Sequence, residues 1–429
     1  MSGVDPGMRA RPRELPAAWV AACGILVVVG IGSFVAGLAT DAPTAWRAFH
    51  VNWLYTMGLS LGGLVLASAL VIIGARWCGP IRHVAEALAA WVPIGFVLAI
   101  IGIGGREAVF SNWIHGAPHG RESWLTPMRV YATDLSILGL LAVLTIVYLH
   151  ASFRPTLGGI AASAPRAKGL FARWTAGWRG DAIERAESER RLRVLAPINC
   201  LAYAFLFAVV IFDQVMSLSP TWFSTIFGWY VCWGGFLSAV AATALASVLL
   251  RATTPGWAAE ITKPRMHDMG KMIFAFSVFW MYLFFSQYNV IWYGNLPEET
   301  QFFELRLGSQ FLQDTWDFQW SRLDEPYVKL SLMAWLGCWW IPFWVLLGQA
   351  PKKTPAILGG VASAVLLGFW LERNALVWPS LVPADGGAWF GPIQIGIAAG
   401  FLGAFVLVFL IFSRVFPTLP LPDPEPDRH

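Results

Sequence analysis

Residues 267–300 read HDMGKMIFAFSVFWMYLFFSQYNVIWYGNLPEET, an apolar stretch that is long enough to cross a bilayer as a helix. The stretch begins with three ionisable groups, His267, Asp268 and Lys271, and ends on a pair of glutamates. Polar side chains also interrupt its middle. Polar groups are costly to bury in hydrocarbon, so they usually face a bundle interior or a water path. The stretch therefore predicts a membrane helix that carries a candidate proton route.

A simpler interpretation of this helix stays open. His267, Asp268 and Lys271 could mark the membrane surface, while Ser286 and Gln287 contribute interhelical hydrogen bonds of about 0.6 kcal/mol each. At about 100° per residue, the polar groups fall on two faces of the helix rather than on one stripe. A proton path would therefore need a second helix beside this one.

The composition indicates the class of protein. Of the 429 residues, 57% are hydrophobic and only 13% are charged, whereas a soluble domain carries about 25% charged residues. The chain is predicted to be an all-α integral membrane protein with about ten transmembrane helices arranged in two helical bundles. The predicted spans are 17–38, 52–74, 84–105, 128–150, 194–217, 223–250, 267–294, 327–349, 355–377 and 389–413.

The charges in the connections orient these spans. Basic residues concentrate at 75–83, 151–193, 251–266 and 350–354, whereas 295–326 carries seven acidic residues against two arginines. By the positive-inside rule the basic connections and both termini are cytoplasmic.

The connections also suggest a division of the chain. It has an N-terminal part with the first four spans (1–150), a basic cytoplasmic connection (151–193), a part with the last six spans (194–415) and a flexible tail (416–429). The basic connection ends in DAIERAESERRLR, which predicts a surface helix that is either a docking site or a solvated linker. The acidic loop 295–326 could form an interfacial helix, bind a basic partner, feed a proton exit or pack as a lid.

The sequence lacks the motifs that several kinds of chemistry require. The five cysteines are scattered singly, without CxxC spacing, and the histidines fall near the ends of predicted spans, in loops or at the C-terminus. Neither an iron–sulfur cluster nor haem ligation within the chain is predicted. No phosphate-binding loop, dinucleotide fingerprint or nucleophile elbow is present either.

Asp213 is the most informative carboxylate outside the opening stretch. It lies near the outward end of the fifth predicted span, in FDQVMSLSPTWFSTIFGWY (212–230). A shielded carboxylate at this depth could accept a proton from a quinol or from a relay. Alternatively, it could cap a helix start at Thr221–Thr225 or pair with Arg373.

Three segments together resemble a known family: 212–230, 267–300 and LERNALVWPSL at 371–381. They look like the second large membrane subunit (ActF type) of alternative complex III, a quinol:cytochrome c oxidoreductase, which belongs to the NrfD-like (polysulfide reductase membrane subunit) superfamily. The resemblance covers roughly 194–380 in sequence and the rest by topology.

The resemblance implies a multi-pass subunit of the bacterial inner membrane that supports quinol oxidation and proton translocation in an electron transport chain. It implies no redox metal in this chain. Haems and iron–sulfur clusters would belong to partners: the sister NrfD-like subunit, an iron–sulfur protein and c-type cytochromes. A quinone is the one possible cofactor. The proton-path candidates are Asp213, His267, Asp268, Lys271, Tyr282, Ser286, Gln287, Tyr288 and Glu298, and the quinone-binding candidates are Asp213, Trp222 and Arg373.

Two other functions stay open. A secondary transporter would typically show inverted repeats and broken helices, but no repeat is evident, and the prolines within spans, such as Pro93 and Pro342, have no matching positions. A passive scaffold would only support a membrane complex.

Overall fold

A computed structural model describes residues 17–75, 77–163, 173–254, 257–308, 320–383 and 390–416. Across these residues the secondary structure is helical and contains no strand. Ten of the described helices are long and apolar enough to span a membrane, which confirms the predicted all-α membrane fold. We number them spans 1 to 10: Ala17–Thr40, Ala42–Ile72, Ile81–Val109, Pro127–Gly158, Asp181–Leu218, Phe227–Thr253, Lys263–Gly294, Tyr327–Val345, Pro355–Leu381 and Pro392–Val415.

Several helices extend beyond the apolar cores that predicted them. Span 2 begins at Ala42, where Asp41 caps it by accepting a 3.2 Å hydrogen bond from the backbone N–H of Thr44. The helix of span 4 runs to Ser163. Hydropathy marks only the part of a helix that lies in hydrocarbon, whereas backbone hydrogen bonding continues into water. For the same reason the surface helix predicted in DAIERAESERRLR (181–193) is continuous with span 5.

Some spans are interrupted inside. Span 3 consists of Ile81–Ala89, Val92–Gly102 and Arg106–Val109, and span 8 of Pro326–Trp335, a π-helical turn at Leu336–Trp340 and Ile341–Val345. Span 5 consists of Asp181–Leu201, a π-helical turn at Ala202–Phe207 and Ala208–Gln214. π-Helical turns are frequent at functional sites. The one in span 5 directly precedes the short helix that carries Asp213.

The spans form two four-helix bundles and a peripheral pair. In the first bundle, spans 2 and 4 each pack against spans 3 and 5. In the second bundle, span 6 packs against spans 7 and 9, and span 8 packs against the same two neighbours. Spans 2 and 6 join the bundles, and spans 1 and 10 pair with each other beside span 2. Each bundle is therefore built from consecutive spans, 2 to 5 and 6 to 9.

Glycines allow the closest helix contacts. A Cβ on Gly30 would overlap the Cα of Gly400, so the backbones of spans 1 and 10 touch at this point. A Cβ on Gly62 would lie 2.5 Å from the carbonyl oxygen of Gly235, at the seam between spans 2 and 6. Close backbone packing at small residues drives helix association in hydrocarbon, where the hydrophobic effect is absent.

The alternation of the spans separates two faces. We call the face that carries the connections 73–80 and 346–354 the basic face, and the opposite face the acidic face. The described chain ends, Ala17 and Phe416, both lie at the basic face, because the number of spans between them is even. The structure does not itself contain a membrane, so the assignment of the basic face to the cytoplasm stays a prediction.

Helix Pro297–Leu307 closes the acidic end of the second bundle. Its Phe302 and Phe303 are buried, and Arg306 donates hydrogen bonds to the carbonyl oxygen of Leu376 (2.8 Å) and to Oγ of Ser380 (2.7 Å) on span 9. This part of the acidic loop therefore packs as a lid. Residues 309–319 of the loop lie outside the described residues. Three short helices complete the structure: Trp257–Glu260, Trp320–Asp324 and Gln349–Lys353.

Candidate functional site

Asp213 forms a buried ion pair in the first bundle. The side chain is fully buried, and its Oδ1 accepts hydrogen bonds from Nη2 of Arg129 (2.5 Å) and from Nε1 of Trp124 (3.0 Å). Arg373 bonds instead to its neighbour Glu372 and to the carbonyl oxygen of Val231. The alternative of an Asp213–Arg373 pair is therefore wrong, because the two residues belong to different bundles.

A second buried carboxylate adjoins the first. Asp134 on span 4 is 2% exposed, and its Oδ2 accepts a 2.6 Å hydrogen bond from Nε2 of Gln214. The carboxyl groups of Asp134 and Asp213 are close enough to interact with each other. Each retains one buried oxygen without a donor, Oδ1 of Asp134 and Oδ2 of Asp213. Two carboxylates beside one arginine leave an uncompensated negative charge, which is costly at this depth.

His50 completes this group. Its Nε2 lies 2.9 Å from the carbonyl oxygen of Gln214, and its ring is buried in span 2. We call His50, Arg129, Asp134, Asp213 and Gln214 the carboxylate cluster. It borders a cavity of about 30 Å³ lined by aromatic and apolar residues as well as by three of its members. A cavity of this size with several polar partners can hold a water molecule.

The connection between spans 3 and 4 positions Arg129. The guanidinium lies over the Trp124 ring, 4.0 Å from its centroid, and its Nε donates to the carbonyl oxygen of Trp124 at 2.8 Å. The side chain is 23% exposed, whereas that of Asp213 is not exposed at all. Arg129 thus extends from the carboxylates to the acidic face.

A separate buried carboxylate, Glu86, lies in the half of the first bundle that is nearer the basic face. Glu86 on span 3 is fully buried; its Oε2 lies 2.6 Å from Nδ1 of His83, and its Oε1 accepts a 2.8 Å hydrogen bond from Oγ of Ser152. The Nε of Arg82 lies 3.4 Å from the same Oε1. We call these four residues the glutamate cluster. It places ionisable groups near the basic face, directly within the first bundle.

Buried polar side chains occur on spans 2, 4 and 5 between the two clusters. Nδ2 of Asn199 donates to Oγ of Ser68 at 3.4 Å, which links spans 5 and 2. Ser60, Thr145 and Tyr148 are also fully buried. The hydroxyls of Ser60 and Thr145 donate to carbonyl oxygens of their own helices, so the polar groups form separate steps rather than one continuous chain.

The charged residues at the start of span 7 lie at the surface. Nζ of Lys271 forms a 2.7 Å ion pair with Oδ1 of Asp268, and the Lys271 side chain is 57% exposed. His267 is partly buried beside them, with its Nδ1 4.0 Å from the same Asp268 oxygen. This arrangement fits the interpretation of these residues as surface anchors.

The remaining candidates on span 7 are distributed around the helix. Tyr282 is 61% exposed, and Ser286 donates to the Tyr282 carbonyl oxygen at 2.7 Å. Gln287 is buried with no hydrogen-bond partner on its Nε2, Tyr288 contacts the aromatic rings around Phe303, and Glu298 is exposed. Span 7 belongs to the second bundle, so the structure does not bring these groups together with Asp213.

The quinone-binding candidates also lie apart. Trp222 is buried under the lid helix, with its ring stacked on Phe302 at a centroid distance of 3.8 Å. Arg306 covers the other side of this stack, 3.5 Å from the Phe302 centroid. Burial lowers the pKa of Arg306 to about 9. This value is still above neutral pH, so the guanidinium remains cationic there. The faces of Trp222 and Phe302 that meet are therefore not free to receive a quinone ring.

Sequence reasoning missed His50, Arg129, Asp134 and Glu86 as site residues. A signal existed for the two carboxylates, because both lie inside predicted spans, where ionisable residues usually mark function. His50 instead preceded its predicted span. The helix begins at Ala42, so His50 lies inside it.

No protein-family model matches the chain, and no curated protein matches it in sequence. The described residues include no group of three or more His, Cys, Asp or Glu side chains placed to hold a metal ion. What the arrangement can do is hold and pass protons: the carboxylate cluster offers two facing acids, a histidine and a small cavity near the acidic face.

Proposed function

We propose that the chain is the proton-handling membrane subunit of a quinol:electron-acceptor oxidoreductase of the alternative complex III type. Its electron carriers, haems and iron–sulfur clusters, would belong to partner subunits in a bacterial inner membrane. The observation that supports the proposal best is the buried pair Asp134 and Asp213, each with one oxygen that lacks a donor.

The pair suits proton acceptance. A single proton held between the two carboxyl groups would satisfy both free oxygens and, together with Arg129, would bring the net charge of the three groups to zero. When a quinol is oxidised, its hydroxyl protons leave with its electrons. The two electrons pass to a partner's redox centre. One of the two protons can enter the carboxylate pair, and the other leaves to water at the acidic face, which the partly exposed Arg129 reaches.

The glutamate cluster extends this proposal across the membrane. It lies near the basic face of the same bundle, and buried polar groups separate it from the carboxylate cluster. Protons cross membranes along titratable groups and waters. The first bundle therefore offers the better-shielded route, and the candidates on span 7 stay a separate, more exposed alternative.

The intact complex, purified from its native membranes, tests the proposal. Asp134→Asn and Asp213→Asn should each lower quinol-dependent acceptor reduction about a hundredfold or more, because loss of a general base typically costs that much. The matched control is Glu304→Gln, an exposed carboxylate on the same face, which should leave the rate within about twofold.

Assembly is measured in parallel from the subunit and haem content. Wild-type rates in both Asn variants of an assembled complex would favour the passive scaffold. A chain that purifies alone and carries a solute across vesicles would favour the transporter.

A further inference from the structure

An excess of positive charge lies at the basic face, where span 7 begins. Three lysines lie close enough to His267 to act on its charge: Lys271 on span 7, and Lys352 and Lys353 in the connection between spans 8 and 9. We call these three residues the lysine cluster. Within the described residues, Asp268 is the one carboxylate at ion-pair distance from any of them, 2.7 Å from Nζ of Lys271. With His267 neutral, three ammonium groups against one carboxylate leave a net charge of +2.

Lys352 is a buried cation with few partners. The residue is 7% exposed, and its side chain packs on span 7, where a Cβ on Gly270 would lie 2.8 Å from its Cγ. An ammonium group has three donors. Here Nζ makes one long hydrogen bond of 3.5 Å to the carbonyl oxygen of Leu347 and lies 5.0 Å from the centroid of the Phe274 ring. Burial and the nearby charge of Lys271 lower the pKa of Lys352. A bound anion would stabilise its charged form.

The lysine cluster lies at the end of the lipid-facing side of span 7. Lys271 is 57% exposed, and further exposed side chains follow it at intervals of three or four residues, which places them on the same face of the helix. These residues are Ala275, Val278 and Tyr282. On the adjoining face, Phe274 stacks on Phe343 of span 8 with ring centroids 5.5 Å apart. The surface that continues from the cluster into the membrane is therefore mostly apolar.

Cations above an apolar surface match the chemistry of a phospholipid. Its phosphates lie at the membrane surface and its acyl chains extend into the hydrocarbon, so one molecule can contact both parts of this surface. Basic sites at the cytoplasmic ends of membrane helices bind the head groups of anionic lipids in this way. A free anion in water would contact only the charged part and would gain nothing from the apolar part.

We propose that the lysine cluster binds the phosphates of an anionic phospholipid whose acyl chains lie along the exposed side of span 7. A head group with two phosphates, as in cardiolipin, balances the net charge of +2. The site is independent of the proposed function, because it requires only that the spans lie in a bilayer, and its test uses no turnover.

Lipid binding is measured on the full chain, purified with any subunits that accompany it and freed of native lipid by detergent exchange. The protein is titrated with cardiolipin or with phosphatidylcholine, which carries no net charge, and inorganic phosphate is added as a competitor. The test variant combines Lys271→Gln with Lys353→Gln and leaves the buried Lys352 in place, so that folding is preserved. The matched control combines Arg190→Gln with Arg193→Gln, two charges on the same face whose side chains are 76% and 77% exposed.

We expect the wild type to bind cardiolipin at least about tenfold more tightly than phosphatidylcholine. The lysine variant should lose about thirtyfold in affinity for cardiolipin, because each basic residue near an anionic head group contributes a factor of about five. The arginine variant should stay within about twofold of the wild type. Equal losses in the two variants would overturn the proposal, because they would indicate general attraction of charge. Equally tight binding of phosphatidylcholine would also overturn it, and displacement of cardiolipin by equimolar phosphate would reassign the cluster to a free anion.

Discussion

Arg129 on span 4 donates a 2.5 Å hydrogen bond to Asp213 on span 5, and this bond connects two residues that are 84 positions apart in the chain. The carboxylate is fully buried, while the guanidinium reaches the acidic face. The ion pair is therefore shielded on one side only.

Removal of Arg129 should destabilise the first bundle. Arg129→Leu leaves a buried carboxylate without its cation, which typically costs about 3–5 kcal/mol. The double variant Arg129→Leu with Asp213→Leu should recover most of this loss, because it removes both charges. Thermal unfolding in detergent measures the difference. Arg106→Leu is the control, since its ion pair with Glu107 is exposed and exposed pairs contribute little. Equal melting temperatures for Arg129→Leu and the control would contradict the prediction.

The contact between spans 1 and 10 should depend on Gly30. Gly30→Leu forces the helices apart, because even a Cβ would overlap the backbone of Gly400. We expect a loss of at least about 1–3 kcal/mol from overpacking. Gly24→Leu is a matched control on the same helix, since a Cβ there meets nothing within 4 Å. The measurement is the yield and the melting temperature of the two variants, and similar values for both would show that spans 1 and 10 do not pack closely.

Lys271 should contribute little to turnover. Its ion pair with Asp268 is largely exposed, and such pairs are worth about 0–1 kcal/mol. Lys271→Ala should therefore leave quinol-dependent acceptor reduction within about twofold of the wild type, in contrast to Asp213→Asn. The rates and the proton release of both variants are compared in the same preparation. A large defect in Lys271→Ala alone would support the proton route along span 7.

Arg306 should hold the lid helix on the second bundle. It donates to the carbonyl oxygen of Leu376 and to Oγ of Ser380, and its charge lies over the Phe302 ring. Arg306→Ala should destabilise the protein by about 2–4 kcal/mol through the lost charge-assisted hydrogen bonds and the lost packing. Protease cleavage between the lid helix and span 8 should also become faster. Glu304→Ala, an exposed change on the same helix, is the control and should leave cleavage unchanged.

The span 7 stretch illustrates how far sequence reasoning extends. Its length and apolar content predict a helix that crosses the membrane, and the structure confirms that helix at Lys263–Gly294. Its polar residues suggested a path, yet Tyr282 faces outward while Gln287 faces inward. The sequence predicts in which direction each side chain leaves its own helix. It does not predict which neighbouring helix, if any, covers that side.

The carboxylate cluster illustrates the opposite case. Asp213 was a candidate from its depth alone, and Asp134 carried the same signal within span 4. Their partnership required knowledge of which spans are adjacent. That His50 lies inside a span could be recognised only from the true start of span 2, which hydropathy does not mark.

Composition and charge pattern were enough to predict the class, the number of spans and their alternation between two faces, because each depends on the transfer of a local segment into hydrocarbon. The packing of the helices sets the rest: Asp134 lies near Asp213, Arg129 rather than Arg373 is the cation, and a groove runs between the bundles. Helix association in hydrocarbon depends on shape, close backbone contacts and hydrogen bonds between distant residues. These pairings have no periodic signature along the chain, so they become visible only when the helices are packed.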